Sequence, residues 1–131
     1  SQVSDEDKMK LVEYFKDVLK DVVKDVRISK KLSNSPACLA VDEGALDIRM
    51  EKFLIEQKQL QSASMKLLEI NPDHPIVQAI LKDVVADKSN EFTKAVAKML
   101  FEQACIVEGE DITDSLGFSK RLSEIIIKAY S

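Results

Sequence analysis

The sequence predicts an α+β domain: a small sheet of about three strands with helices on one side, ending in a helical pair. Three observations lead there. Apolar residues recur at three- and four-residue steps over long stretches at both ends of the chain. Between them lie three short runs that are β-branched, alternating or compactly apolar, separated by turn residues. Only 5% of the 131 residues are aromatic and none is Trp, so the core must be built from aliphatic side chains, which suits closely packed helices.

Ser4, with Asp7 three residues on, fits a capping box at a helix start. Leu11, Phe15, Val18 and Val22, flanked by Val12 and Leu19, form one face and carry the helix to about Lys20. Val26 and Ile28 then alternate with Arg27 and Ser29, as a half-buried strand does. Ser33, Asn34, Ser35 and Pro36 read as a turn. Ala37, Leu39 and Val41 alternate with Cys38 and Ala40 until Asp42, Glu43 and Gly44 end the run, so these two strands are expected to pair as a hairpin. Leu46, Met50, Phe53 and Leu54 fall on one stripe of a short amphipathic helix, capped by Asp42 or by residues near Gly44. The polar stretch 57–64 offers almost nothing to bury and reads as a loop.

Met65 to Ile70 is an apolar run closed by Asn71 and Pro72, and the proline disfavours helix at the preceding residue, which predicts a third strand. Pro75 opens the next helix, with Asp73 or His74 in the cap region and Ile76, Ile80 and Leu81 as its face. The strongest helix pattern covers 90–107. Phe92, Val96, Met99, Leu100 and Val107 make one stripe there, and Ala97, Phe101 and Cys105 make a second. A last helix starts at a cap formed by Ser115 or Asp114. It places Phe118, Leu122, Ile125, Ile126 and Ala129 at helical spacing, with Ile127 and Tyr130 outside that stripe. Two adjacent helices with such wide apolar arcs either face the domain's own sheet or need an external partner. Self-association through a four-helix bundle, two helices from each copy, is the simplest closed form of the second option.

Composition narrows the function classes. An apolar fraction of 45% and a charged fraction of 32% are those of an ordinary globular domain with one core. A net charge of -4 and a pI near 5.1 argue against nucleic acid, whose binders cluster Lys and Arg. No apolar run approaches the ~20 residues that cross a bilayer, and the first ten residues are too acidic for a signal peptide, so a cytoplasmic protein without membrane contact is expected. Cys38 and Cys105, each among apolar neighbours, read as buried thiols. His74, the single histidine, reads as a cap or a solvent-facing turn residue. Asp42-Glu43 and Glu108-Glu110-Asp111 lack the spacing of a calcium loop and read as solvated turn acids. Gly44, Gly109 and Gly117 are scattered singly, so no phosphate-cradling loop is expected. The chain begins at Ser1 without an initiator Met, and a piece of a longer polypeptide is expected.

Three blocks carry a resemblance: 31–39 (Lys-Leu-Ser-Asn-Ser-Pro-Ala-Cys-Leu), 48–51 (Ile-Arg-Met-Glu) and 68–75 (Leu-Glu-Ile-Asn-Pro-Asp-His-Pro). Their residues, order and spacing resemble the C-terminal dimerisation domain of the heat-shock protein 90 chaperone family, of the bacterial high-temperature protein G type, over essentially the whole chain. The resemblance implies an ATP-driven homodimeric chaperone of which residues 1–131 are a single domain, the N-terminal ATPase and middle domains being absent. It further implies that this piece is not itself an enzyme and holds no cofactor, ATP and magnesium belonging to the absent N-terminal domain. The implied dimer interface is Val96, Leu100, Phe101, Ala104, Phe118, Leu122, Ile125, Ile126 and Ala129, in an intermolecular four-helix bundle. Leu46, Met50, Phe53 and Leu54 are the implied contacts to unfolded or partly folded client proteins. The chain ends Lys128-Ala129-Tyr130-Ser131, so neither a tail that recruits tetratricopeptide-repeat cochaperones nor a reticulum-retention tail is expected, and a bacterial cytoplasm fits. The alternative is a free-standing adaptor or scaffold that binds a different protein through its apolar C-terminal helices.

Overall fold

The computed structural model describes residues 2–31 and 34–131. Ser33 of the expected turn, and Leu32 and Ser33 of the first resemblance block, lie outside the described residues. In chain order the elements are α1 (Asp5–Leu19), β1 (Asp25–Ile28), β2 (Ala37–Ala40), α2 (Ile48–Glu56), β3 (Leu67–Ile70), α3 (Pro75–Val85), α4 (Glu91–Glu108) and α5 (Ser115–Ala129). This is the α+β class the periodicities predict.

Local chemistry explains where the helices begin. Ser4 Oγ accepts the Asp7 N–H at 3.1 Å, which satisfies one of the free donors of the first turn of α1. His74 acts as the cap of α3, its Nδ1 accepting the Ile76 N–H at 3.1 Å, with Pro75 in the first helical turn where a missing N–H costs nothing. Asn90 caps α4 reciprocally: its Oδ1 accepts the Thr93 N–H at 3.0 Å, and Thr93 Oγ1 accepts the Asn90 N–H at 3.3 Å. Thr93 Oγ1 also lies 3.0 Å from Asp83 Oδ2, joining α3 to α4. Replacing Asn90 by Ala removes one arm of this box and should cost about 1 kcal/mol. Urea unfolding checks it, and Asn90→Ser, which keeps an acceptor, should recover most of the loss.

The expected hairpin does not form. The strand order is β1-β3-β2, with β1 parallel and β2 antiparallel to β3. Every residue of β3 is buried, whereas β1 and β2 are buried at alternate positions. A strand covered on both faces belongs in the centre, where both of its edges are also paired. In register, Leu68 stands between Val26 and Leu39, and Ile70 between Ile28 and Ala37. That face of the sheet meets Leu11, Phe15 and Leu19 of α1, Val77 and Ile80 of α3, and Ala97, Leu100 and Ala104 of α4 in one core. On the opposite face, Glu69 is held by Arg27 Nε at 2.7 Å.

Two helix faces are rotated from the expected ones. Val22 falls beyond the end of α1 and is exposed, and Val23 enters the core in its place. In α3, Val77 and Ile80 point inward, while Ile76 is exposed and Leu81 half-buried. The loop expected at 57–64 is a succession of turns and bends ahead of β3.

Candidate functional site

Asp114 caps α5 by accepting the Gly117 N–H at 2.9 Å, yet none of the helix's residues is buried. Polar contacts fasten it to α4. Arg121 clamps Glu102 with two bonds, Nε to Oε1 at 3.1 Å and Nη2 to Oε2 at 2.6 Å, the fork geometry in which guanidinium binds carboxylate best. The Lys128 ammonium sits 4.5 Å from the Phe92 ring centroid. Phe118 and Ile125 are half-buried.

At about 100° per residue, the rest of α5 turns an apolar arc outward: Leu122, Ile126 and Ala129, joined by Leu116, Ile127 and Tyr130, the last three 68%, 66% and 89% exposed. On α4, which packs against α5, Ile106 and Val107 are also open, 53% and 78% exposed. Of the nine residues expected at a dimer interface, Leu122, Ile126 and Ala129 are open to solvent, and Val96, Phe101, Phe118 and Ile125 are half-buried. Leu100 and Ala104 are corrected: both lie in the domain's own core, at 2% and 3% exposure, and offer no surface to a partner. Leu116 and Ile106 fall in none of the stripes the periodicity defines, and Ile127 and Tyr130 lie outside the stripe of the last helix.

A second exposed apolar surface lies on α2. Its cap is not Asp42 but Asp47, among the residues near Gly44: Asp47 Oδ1 accepts the N–H groups of Arg49 at 2.8 Å and Met50 at 3.3 Å. Leu46 therefore precedes the helix. Leu46, Met50 and Phe53 are exposed and Leu54 is half-buried. The one buried residue of α2 is Glu51. Glu51 Oε1 accepts from Lys66 Nζ at 2.5 Å, and Oε2 accepts from Ser64 Oγ at 2.7 Å and Ser64 N–H at 3.2 Å. Lys66 Nζ also donates to the Ser64 carbonyl at 2.7 Å and lies 2.9 Å from Glu110 Oε1. Lys52 Nζ reaches the Gly109 carbonyl at 3.0 Å. The expectation of a solvated turn acid is thus corrected at Glu110, which pairs with buried Lys66, whereas Asp42 pairs with Lys24 on the surface and its side chain stays exposed.

Burial pushes the Glu51 carboxyl up, but the bonds from Lys66 and Ser64 outweigh it and hold the group below its ordinary 4.5. Burial pushes Lys66 down, and Glu51 and Glu110 more than reverse this, so it sits above 10.5. The depressed carboxyl contributes stability that is fully present above 4.5 and lost as pH falls through its lowered folded value. The raised ammonium contributes stability present below 10.5 and lost as pH rises beyond it. The stability difference between the native protein and Glu51→Gln should therefore hold steady through neutral pH and shrink on acidification below the ordinary carboxylate range. Urea unfolding at a series of pH values reads it directly.

The two thiols are poor nucleophiles. Burial, then Glu110 and Glu102, push Cys105 up to about 11. Burial, then Glu69, also raise half-buried Cys38. Among the described residues, no group of three or more His, Cys, Asp or Glu side chains converges as metal ligands would.

Comparison with known proteins decides the family. The sequence profile described as Hsp90 protein matches residues 1–131. The chain belongs to the Hsp90 protein family. Chaperone protein HtpG of Rickettsia canadensis (strain McKiel) is 54% identical over 129 residues, which are 98% of this chain and 20% of that protein. HtpG of Rickettsia typhi (strain ATCC VR-144 / Wilmington) is 52% identical and that of Rickettsia rickettsii (strain Sheila Smith) 50% identical, each with the same coverage. The chain spans about one-fifth of the length of the curated relatives it matches. It is a chaperone-family member akin to bacterial HtpG. No helix among the described residues is long and apolar enough to cross a membrane.

Two expectations are corrected by these matches: that the chain is no enzyme, and that it holds no ATP or magnesium. The Hsp90 profile covers all of residues 1–131, and the relatives carry the name of the whole HtpG chaperone. The same resemblance implies an ATP-driven family. Neither exclusion stands against that membership.

Proposed function

We propose that this chain is the dimerisation domain at the C-terminal end of an HtpG-type chaperone of the bacterial cytoplasm. In this reading α4 and α5 of two copies build an intermolecular four-helix bundle. The observation that carries it is α5 itself, a 15-residue helix with no buried residue and an apolar outer arc. An amphipathic helix gains most of its stability from burying one face, so an open apolar arc calls for a covering surface. A two-fold axis lets the same arc on a second copy supply it. Val96, Phe118, Leu122, Ile125, Ile126 and Ala129 form the seam, with Phe101 beside it and Ile106, Val107 and Leu116 extending it.

Joining two copies raises the effective concentration of whatever each carries, so that contact between the arms becomes intramolecular. The pair also sets two copies of α2 about one cleft. There Leu46, Met50, Phe53 and Leu54 meet apolar stretches of unfolded or partly folded clients, and flexible, polarizable Met50 suits varied partners. The double substitution Met50→Ser with Phe53→Ser should leave the mass by light scattering at two chains while cutting suppression of client aggregation several-fold. Unchanged suppression would remove α2 from the client site.

A further inference from the structure

We infer that α2 is latched to the domain by charge, and that it can leave its seat as a unit while the core stays folded. The inference rests on the reading of α2 as the client-facing helix and adds the device that holds and frees it. Other helices of the core dock by apolar side chains: α1 by Leu11, Phe15 and Leu19, and α3 by Val77 and Ile80. In α2 the one buried side chain is a carboxylate, while Ile48, Leu54 and Ile55 are only half-buried, Ile48 reaching the edge of the core.

The seat is equally polar. Lys66, at the entry to β3, gathers Glu51 from α2, the Ser64 carbonyl from the preceding loop and Glu110 from the link between α4 and α5. One residue along α2, Lys52 holds the carbonyl of Gly109, the left-handed residue that ends α4. The latch thus joins the client-facing helix to the segment leading into α5. Lys66 is a positioning residue here, acting on clients only through α2.

The chain is also built to pivot on either side of α2. Gly44 ahead of it and Lys58 just after it both have positive φ, +82° and +61°. A lysine in that region is held there at a cost, which relaxation of the loop would recover. Apolar docking grades smoothly with area, whereas a buried carboxylate–ammonium pair is lost as a whole when one partner is removed. Sub-global opening of a weakly packed unit is the expected consequence.

Amide hydrogen exchange on the 131-residue chain tests this with Glu51→Gln, which keeps the shape and leaves Lys66 its Glu110 partner. In the native chain the amides of α2 should open at lower free energy, and with a weaker dependence on low urea, than those of α1, β3 and α3. Glu51→Gln should speed α2 about ten-fold or more, while the core amides speed up by no more than the loss of global stability that urea unfolding reads. Lys52→Met, at an exposed residue outside the core, should accelerate α2 to a smaller extent. Native exchange rates in α2 for both variants, or α2 amides that open only at the free energy and urea dependence of α1 and β3, would overturn the latch. Exchange needs no client, so a latch that opens as described while Met50→Ser with Phe53→Ser leaves aggregation suppression intact would sink the client reading and not the latch.

Discussion

A charge placed at Leu122 or Ile126 should dissolve the proposed dimer while leaving each chain folded. The two residues are 40% and 48% exposed in the single chain, so Leu122→Asp or Ile126→Asp meets water in the monomer and costs its fold little. In the bundle the same carboxylate is buried with no cation facing it, which costs about 3–5 kcal/mol. Because an isologous interface carries each substitution twice, dimer affinity should fall by roughly three orders of magnitude or more. Circular dichroism should be unchanged and the mass by light scattering should drop to one chain. Dimers of native affinity in both variants would remove α5 from the interface.

Phe15→Ala should have the opposite signature, a folding defect with no selective effect on association. Phe15 is fully buried, its ring edge-on to Tyr14 at 6.1 Å between centroids, in the cluster where Leu11 and Leu19 of α1 meet Leu68 and Val77. Truncating such a ring removes its transfer free energy and leaves a cavity, for about 3–5 kcal/mol. That is a large share of the ~5–15 kcal/mol by which domains of this size are stable. The urea midpoint should fall accordingly. A midpoint close to native would mean that the helix face assigned to the core is wrong.

Local signals in this sequence proved legible and non-local ones did not. Ser4, His74 and Asp114 are legible as caps or in cap regions because a short polar side chain before an apolar period has one physical use there, whereas Asn90 reads only as the first residue of a helical stretch and its cap emerges from the structure. The faces of α1 and α3 came out one residue off at Val22 and Ile76, where adjacent aliphatic residues satisfy the same period. Strand order was misread because adjacency in sequence favours a hairpin, and only the burial of β3 on both faces reveals that it must lie between β1 and β2.

The apolar arc of α5 is visible in part: Leu122 and Ile126 stand at four-residue spacing, Tyr130 is set outside the stripe, and Leu116 is not read at all. Leu100 and Ala104 enter the interface as what the resemblance implies for the helix pair, which does not say which side of α4 the domain's own sheet covers. The Glu51–Lys66–Glu110 cluster leaves no local trace, since its members come from α2, the entry to β3 and the link after α4. A charged residue in an amphipathic helix is ordinarily a solvated one. The family resemblance placed the chain among Hsp90 proteins correctly, while the exclusions of enzymatic work and of ATP and magnesium drawn from it did not survive the comparison.

Sedimentation equilibrium over a wide concentration range, beside a version truncated before Thr113, tests the dimerisation proposal most directly. The account predicts a reversible dimer for the native chain and a monomer at every concentration once α5 is removed. A native chain that stays monomeric throughout, or a truncated chain that dimerises as well as the native one, would contradict it.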